Sequence, residues 1–201
     1  MQTIPPTKTQ CWLLKEKPFG LPQLGGDHPT FVKDVADIPR LKDNQVLLKT
    51  VYLSNDPAQR VWISPLADPA RLYLPPVNVG EVMKSMGIME VIESKSAKIQ
   101  KGTLVTGNPG WTEYSVDYAE NLMPIHPPAG LPVTHFLGAL GLPAFTAYYA
   151  LTQVVNASKE DAIVISGAAG AVGNMAVQLA KKTIGCRKVH RILPTRDSAL
   201  S

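Results

Sequence analysis

Long apolar runs are missing from this chain of 201 residues. None approaches the ~20 residues a membrane-spanning helix needs, and the opening MQTIPPTKTQ lacks the basic segment and apolar core of a secretory leader. A cytoplasmic protein without a membrane partner is therefore expected. Charge of one sign is nowhere concentrated: twenty Lys and Arg against sixteen Asp and Glu give a net +4, with no basic block and no stripe of aromatics among cations. That pattern argues against nucleic acid as a partner. The two cysteines, Cys11 and Cys186, stand far apart and outside any metal-ligand spacing, so free thiols in a reducing compartment and no metal are expected. His28, His126, His135 and His190 lie among turns or in the final segment and read as solvated or turn-packed side chains. Internal repeats and low-complexity tracts are absent.

What the sequence does hold is concentrated between Ala162 and Thr183, AIVISGAAGAVGNMAVQLAKKT. Ile163, Val164 and Ile165 are β-branched and suit a strand buried on both faces. The chain then turns through Gly167 to Gly173. Gly170 would let a diphosphate approach the backbone, and Gly173 would let the next helix pack tightly. The spacing is Gly-x-x-Gly-x-x-Gly, with Ala168 where the usual dinucleotide fingerprint has its first glycine. Val172, Met175, Ala176, Leu179 and Ala180 recur at helical spacing, and Lys181 and Lys182 suit the negative end of the helix dipole. A strand before the glycines and a helix after them separates a nucleotide site from an ordinary tight turn.

The preceding residues have a different texture. Gln10–Leu14 and Gln45–Leu53 read as strands, Val79–Glu93 as two strands joined by a turn, and Lys101–Thr106 and Trp111–Val116 as further short strands. Pro127, Pro128, Gly130 and Pro132 mark a linker, after which Pro143 opens a helix to about Val155 with Ala144, Tyr148, Leu151 and Val155 on one face. The fold class expected is α+β to α/β, a β-rich domain followed by the start of a doubly wound one.

Four stretches in order, LSNDPAQR (Leu53–Arg60), GWTEYSV (Gly110–Val116), LGLPAFTAYYAL (Leu140–Leu151) and AAGAVG (Ala168–Gly173), resemble the medium-chain dehydrogenase/reductase superfamily. Within it they are similar to the zinc-independent double-bond reductases that include the prostaglandin reductases. The resemblance implies a GroES-like β-barrel over residues 1–130, the first strand and helix of a Rossmann domain over 131–189, and a divergent tail over 190–201. It implies NADPH as cofactor and reduction of the carbon–carbon double bond of an enone or enal. Carried over by position as cofactor-binding residues, Gly170, Ala171, Val172 and Gly173 match the pyrophosphate loop, Thr146 a residue near the nicotinamide, and Asn55 the floor of the cleft. Asp56 lies on that floor too, and Trp111 and Tyr114 fall in a segment forming the substrate wall. Each has a plainer reading: Asp56 before Pro57 holds a turn, Thr146 bonds within its helix, and the two aromatics pack in the core. Zinc is not expected, since Asn55, Asp56 and Pro57 stand near the position of a ligand cysteine in metal-dependent relatives.

After Arg187-Lys188-Val189 the resemblance fails. The segment HRILPTRDSALS is polar and interrupted by Pro194, although Val189–Leu193 has the apolar content for a short strand. We expect a truncated form, an alternative transcript or a shifted frame, with the tyrosine that would serve the enone oxygen beyond Ser201. Unpaired strand edges beside Ile163 and Ile165 would then favour association. Arg191 and Arg196 fall where a ribose-reading group is sought, ~20 residues beyond the glycines. Two functions stay open: an enone reductase impaired by truncation, and a non-catalytic GroES-like module with a vestigial nucleotide strand that associates with a full-length partner. A homodimer is the assembly the resemblance suggests.

Overall fold

A computed structural model describes residues 5–193. The chain divides into two compact units between Pro128 and Ala129, inside the proline-rich segment where the backbone cannot sustain regular pairing.

The first unit is built on a five-stranded antiparallel sheet of order β6-β3-β4-β5-β7. Its strands are β3 (Gln45–Leu53), β4 (Gly87–Ser94), β5 (Leu104–Gly107), β6 (Tyr114–Tyr118) and β7 (Met123–Pro124). A separate antiparallel pair, β1 (Lys8–Leu14) and β2 (Phe31–Asp37), leans on it through single bridges from Cys11 to Thr112 and from Leu13 to Val82. Alternation places the core: Val46 and Leu48 on β3 and Met89 and Val91 on β4 are fully buried and meet Val105 and Ile99. Residues two apart share a face of the pleat, so these four side chains share one side, and Leu47 and Ile88, of the opposite parity, are buried as well. A second cluster, Leu14, Phe31, Trp62, Ile63, Val77 and Met83, fills the space under the short helix α1 (Ala58–Trp62). Cys11 is a buried free thiol; burial first, and then the nearby Asp34, push it above the usual thiol range.

Several expected strands change in detail. Of Val79–Glu93 only the second half is a strand, because the chain turns at Asn78–Glu81, with Gly80 at φ +89°, and the residues from Gly80 to Met83 bond instead to Leu14 and Trp12 of β1 around a single bridge at Val82. Trp111–Glu113 serve β1 before the chain reaches β6, with Trp12 N–H donating to Trp111 O at 3.0 Å and Glu113 N–H to Gln10 O at 3.0 Å. Strand β2 was not expected, and its exposed, charged FVKDVAD sequence explains why.

The second unit contains α2 (Leu142–Tyr149), which widens into a π turn over Ala150–Val154, then β8 (Ala162–Ile165), α3 (Ala171–Gln178), a further π turn over Leu179–Ile184, and β9 (Lys188–Arg191). β8 and β9 pair in parallel, Ala162 opposite Lys188 through Ile165 opposite Arg191. A parallel pair joined by a helix is a βαβ unit. Its core is Leu151, Ile165, Ala168, Ala180 and Cys186. The expectation of a strand buried on both faces is corrected: Ile165 is buried and Ile163 half-buried, but Val164 is 62% exposed. Among the described residues β8 pairs with β9 alone, so its second face and edge lack cover. The expected apolar face of α2 is likewise corrected, with Leu151 buried and Tyr148 and Val155 exposed. His190 and Arg191, at the start of the divergent tail, lie on β9, which overlaps the short strand expected over Val189–Leu193. Pro194 and Arg196 lie outside the described residues.

Candidate functional site

The glycine corner begins where β8 ends. Gly167 adopts φ +59°, and Gly170 closes the turn by donating its N–H to Gly167 O at 2.9 Å. Gly170 is also the N-cap of α3, with no side chain capping the helix. The first ladder bond runs from Asn174 N–H to Gly170 O at 2.8 Å. The N–H groups of Ala171, Val172 and Gly173 therefore stand ahead of the ladder, at the positive end of the helix. No acidic residue occupies that first turn.

Gly173 is fixed by close approach. A Cβ there would overlap Gly167 O and lie 2.8 Å from Gly167 C and 2.9 Å from Ala168 Cα. All three obstacles are main chain and cannot rotate aside. A Cβ on Gly170 would meet only Gly167 O, at 3.3 Å. The corner thus presents bare backbone at a helix N-terminus, and a diphosphate fits such a donor set. Because the two strands are parallel, the end of β9 lies beside the same corner: Ile192 N–H donates to Ile165 O at 2.9 Å and Ala168 N–H to Ile192 O at 3.2 Å. Arg191 stands at that end, exposed.

A separate site lies in the first unit, where the LSNDPAQR stretch leaves β3 and starts α1. Ser54 Oγ donates to the Asp56 carboxylate at 2.9 Å, and Asp56 N–H donates to Gln59 Oε1 at 3.1 Å. Gln59, buried, completes the arrangement by donating to Lys84 O at 3.0 Å and to Ser54 O at 3.5 Å. These bonds lock the turn that carries Asn55 and Asp56 to the floor of a cleft of about 580 Å³. Apolar side chains dominate its walls, among them Phe31, Ile63, Met83 and Trp111. The rings of Phe31 and Trp111 pack with centroids 4.9 Å apart and tilted by 44°. A cleft of this size, mostly apolar with a few fixed polar groups, suits a small organic molecule.

The expected site residues are distributed unevenly. Asn55, Asp56 and Trp111 meet in the cleft, while Gly170, Ala171, Val172 and Gly173 form the corner. Tyr114 does not line the cleft; it sits half-buried on β6 opposite Lys49, its main chain bonded to the Thr9 hydroxyl. Thr146 is exposed on α2 and donates its hydroxyl proton to Leu142 O at 2.8 Å. That leaves it only acceptor capacity toward a ligand. Gln59, Arg60, Pro22 and Leu24, all lining the cleft, were missed by sequence reasoning. The first two lie inside the quoted motif and were open to notice, whereas Pro22 and Leu24 sit in an irregular segment with no periodic signal. His28, read as solvated or turn-packed, is exposed and faces Glu16 at 3.1 Å on the surface. Among the described residues no three His, Cys, Asp or Glu side chains gather as a metal-binding group, and no helix is long and apolar enough to cross a membrane.

Residues 10–125 match a family described as the N-terminal domain of oxidoreductase. The chain is 32% identical over 182 residues to prostaglandin reductase 1 of Bos taurus, covering 90% of this chain and 50% of that protein. It is 34% identical over 182 residues to the NADPH-dependent curcumin reductase of Escherichia coli, with the same coverage of 90% and 50%. Its fold superposes on the crystal structure of CurA from Vibrio vulnificus in complex with NADPH with a TM-score of 0.78 at 29% identity, covering 94% of this chain and 52% of the other. The chain spans about half the length of the relatives it matches.

Proposed function

We propose, from the premise that the chain belongs to the zinc-independent reductase branch of the medium-chain dehydrogenase/reductase superfamily, that it serves the NADPH-dependent reduction of the carbon–carbon double bond of α,β-unsaturated ketones or aldehydes. The observation that carries the reading is the glycine corner, where main chain packs so closely at Gly173 that no side chain fits beside the helix N-terminus.

In this reading the N–H groups of Ala171, Val172 and Gly173, with the bare backbone of Gly170, hold the diphosphate. The Thr146 oxygen accepts a hydrogen bond from the nicotinamide amide, its own proton being committed to Leu142 O. Arg191, at the end of β9, gives a 2′-phosphate a cationic partner. NADPH, when bound, supplies the hydride. Asn55 and Asp56 on the floor and Trp111 on the wall orient the enone, and the apolar walls keep water away as charge builds on its oxygen. The reading extends to a cytoplasmic homodimer without nucleic acid or membrane partners.

Melting of the chain titrated with NADPH, with NADH as control, tests this. Saturable stabilisation that favours NADPH, with the preference narrowed in Arg191→Ala, is the expected outcome. No shift at millimolar cofactor would overturn it and leave the chain a non-catalytic module.

A further inference from the structure

Arg60 leaves α1 toward the long segment that joins β1 to β2, and its Nη2 donates to Pro18 O at 3.0 Å, Gly20 O at 3.0 Å and Phe19 O at 3.4 Å. Among the described residues no carboxylate pairs with it. Nη2 carries two N–H groups, which serve Pro18 O and Gly20 O and share the longer contact to Phe19 O, so the guanidinium acts as a clamp through charged donors that make the stronger hydrogen bonds. The clamped segment is otherwise tied down near Thr30, through Gln23 N–H to Thr30 Oγ1 at 3.0 Å and Thr30 N–H to Gln23 O at 2.8 Å. Between these ties it contributes Pro22 and Leu24 to the cleft, and it carries Phe19, Leu21 and Leu24 at 80%, 87% and 68% exposure. Of these, Leu24 lines the cleft together with Pro22, while Phe19 and Leu21 line a separate cavity with Glu16, Lys17, Asp27 and His28. Pro22 and the exposed Leu24 at the rim of an apolar cleft form a surface that an apolar ligand would cover.

We propose that Arg60 is a positioning residue, which holds Pro18–Gly20 so that the segment through Leu24 forms the outer apolar wall of the cleft and selects enones with an extended alkyl tail. The proposal rests on the enone reading for its ligand but not for its clamp. Ordering the wall before the ligand arrives removes part of the entropy that binding would otherwise cost. Each methylene the wall buries raises affinity by about three- to fourfold. Arg60 touches the wall through Pro18–Gly20, whereas the proposed function places the reacting end of the enone at Asp56.

Two measurements on the full chain test the two halves separately. Chymotrypsin at low dose reads the clamp through nicking after Phe19. Arg60→Ala is expected to be nicked at least about tenfold faster than the parent and Arg60→Lys at an intermediate rate, while hydrogen exchange in β3 and β4 stays unchanged. Equal nicking of Arg60→Ala and the parent overturns the clamp. Calorimetric titration with ethylideneacetone and hexylideneacetone, which differ only in tail length, reads the selection. The parent is expected to bind the longer ketone at least about tenfold more tightly, and Arg60→Ala to lose that difference, the longer ketone weakening more than the shorter. Unchanged discrimination in Arg60→Ala, or an equal loss for both ketones, overturns the selective role while the enone reading stands. A parent chain that binds neither ketone overturns the enone reading and the selection together, and the clamp is then decided by the nicking rates alone.

Discussion

Replacing Gly173 by Val separates the packing role of the glycine corner from its ligand role. The new Cβ would enter space held by Gly167 O and lie 2.8 Å from Gly167 C and 2.9 Å from Ala168 Cα. Main-chain atoms cannot swing away, so the corner must lift off α3. Ala168 would then leave the small core it shares with Leu151, Ile165, Ala180 and Cys186. Overpacking of this kind costs about 1–3 kcal/mol, and a β-branched residue recovers little helix propensity over glycine. With every obstacle rigid the upper part of that range applies, so amides of β8 and α3 are expected to lose about 30- to 150-fold in hydrogen-exchange protection. Those of β3 and β4, in the other unit, should not change. Gly170→Ala is the matched control. Its φ of −72° admits any residue and its Cβ would sit 3.3 Å from one oxygen, so protection should fall by no more than about 1 kcal/mol, the loss of a glycine cap. NADPH should still protect the control but not Gly173→Val. Parental protection in Gly173→Val would mean that the corner has room for a side chain, and the close approach of α3 to Gly167 could not then be what demands a glycine.

Gln59→Leu keeps the volume but leaves Lys84 O and the Asp56 N–H without their partner, Ser54 O keeping the Ser85 hydroxyl, and the first unit should lose about 1–3 kcal/mol in urea unfolding. Leu48→Ala opens a cavity among Val46, Met89, Val91 and Val105 and should cost about 2–5 kcal/mol in the same measurement. Thr146→Ala should leave melting almost unchanged, because the lost bond is internal to an exposed helix turn, while weakening NADPH binding severalfold. Glu81 accepts hydrogen bonds from the Asn78 backbone and side chain, which hold its carboxyl below the usual glutamate range. A folded-state pKa below the unfolded one stabilises the chain above the unfolded value of about 4.3. The contribution is lost as pH falls through the lower folded value, and Glu81→Gln should flatten that part of a melting-against-pH curve.

Where side-chain pattern dictates structure, the sequence was readable. Gln45–Leu53 is rich in apolar residues as a central strand must be, and the glycine corner announces itself through Gly170 and Gly173 between an apolar run and an amphipathic helix. The clamp on Pro18–Gly20 was not readable. Its acceptors are main-chain carbonyls some forty residues away from Arg60, and a carbonyl looks the same in every residue. Strand β2 was hidden because its residues beyond Val32 are exposed, so no burial pattern marks it. Thr146 and Tyr114 illustrate the opposite case, in which position within a family motif suggested a ligand contact while the local geometry commits the Thr146 proton to its own helix and carries Tyr114 to the sheet.

Of the three tryptophans, Trp12 lies under the Lys33 ammonium 5.3 Å from its ring and Trp62 packs against Tyr73, while Trp111 alone stands in the cleft against Phe31. A double Trp12→Phe, Trp62→Phe chain would therefore emit from a single indole at the substrate wall. Its colour and quenching would give an optical gauge of occupancy that needs no coenzyme, no turnover and no label.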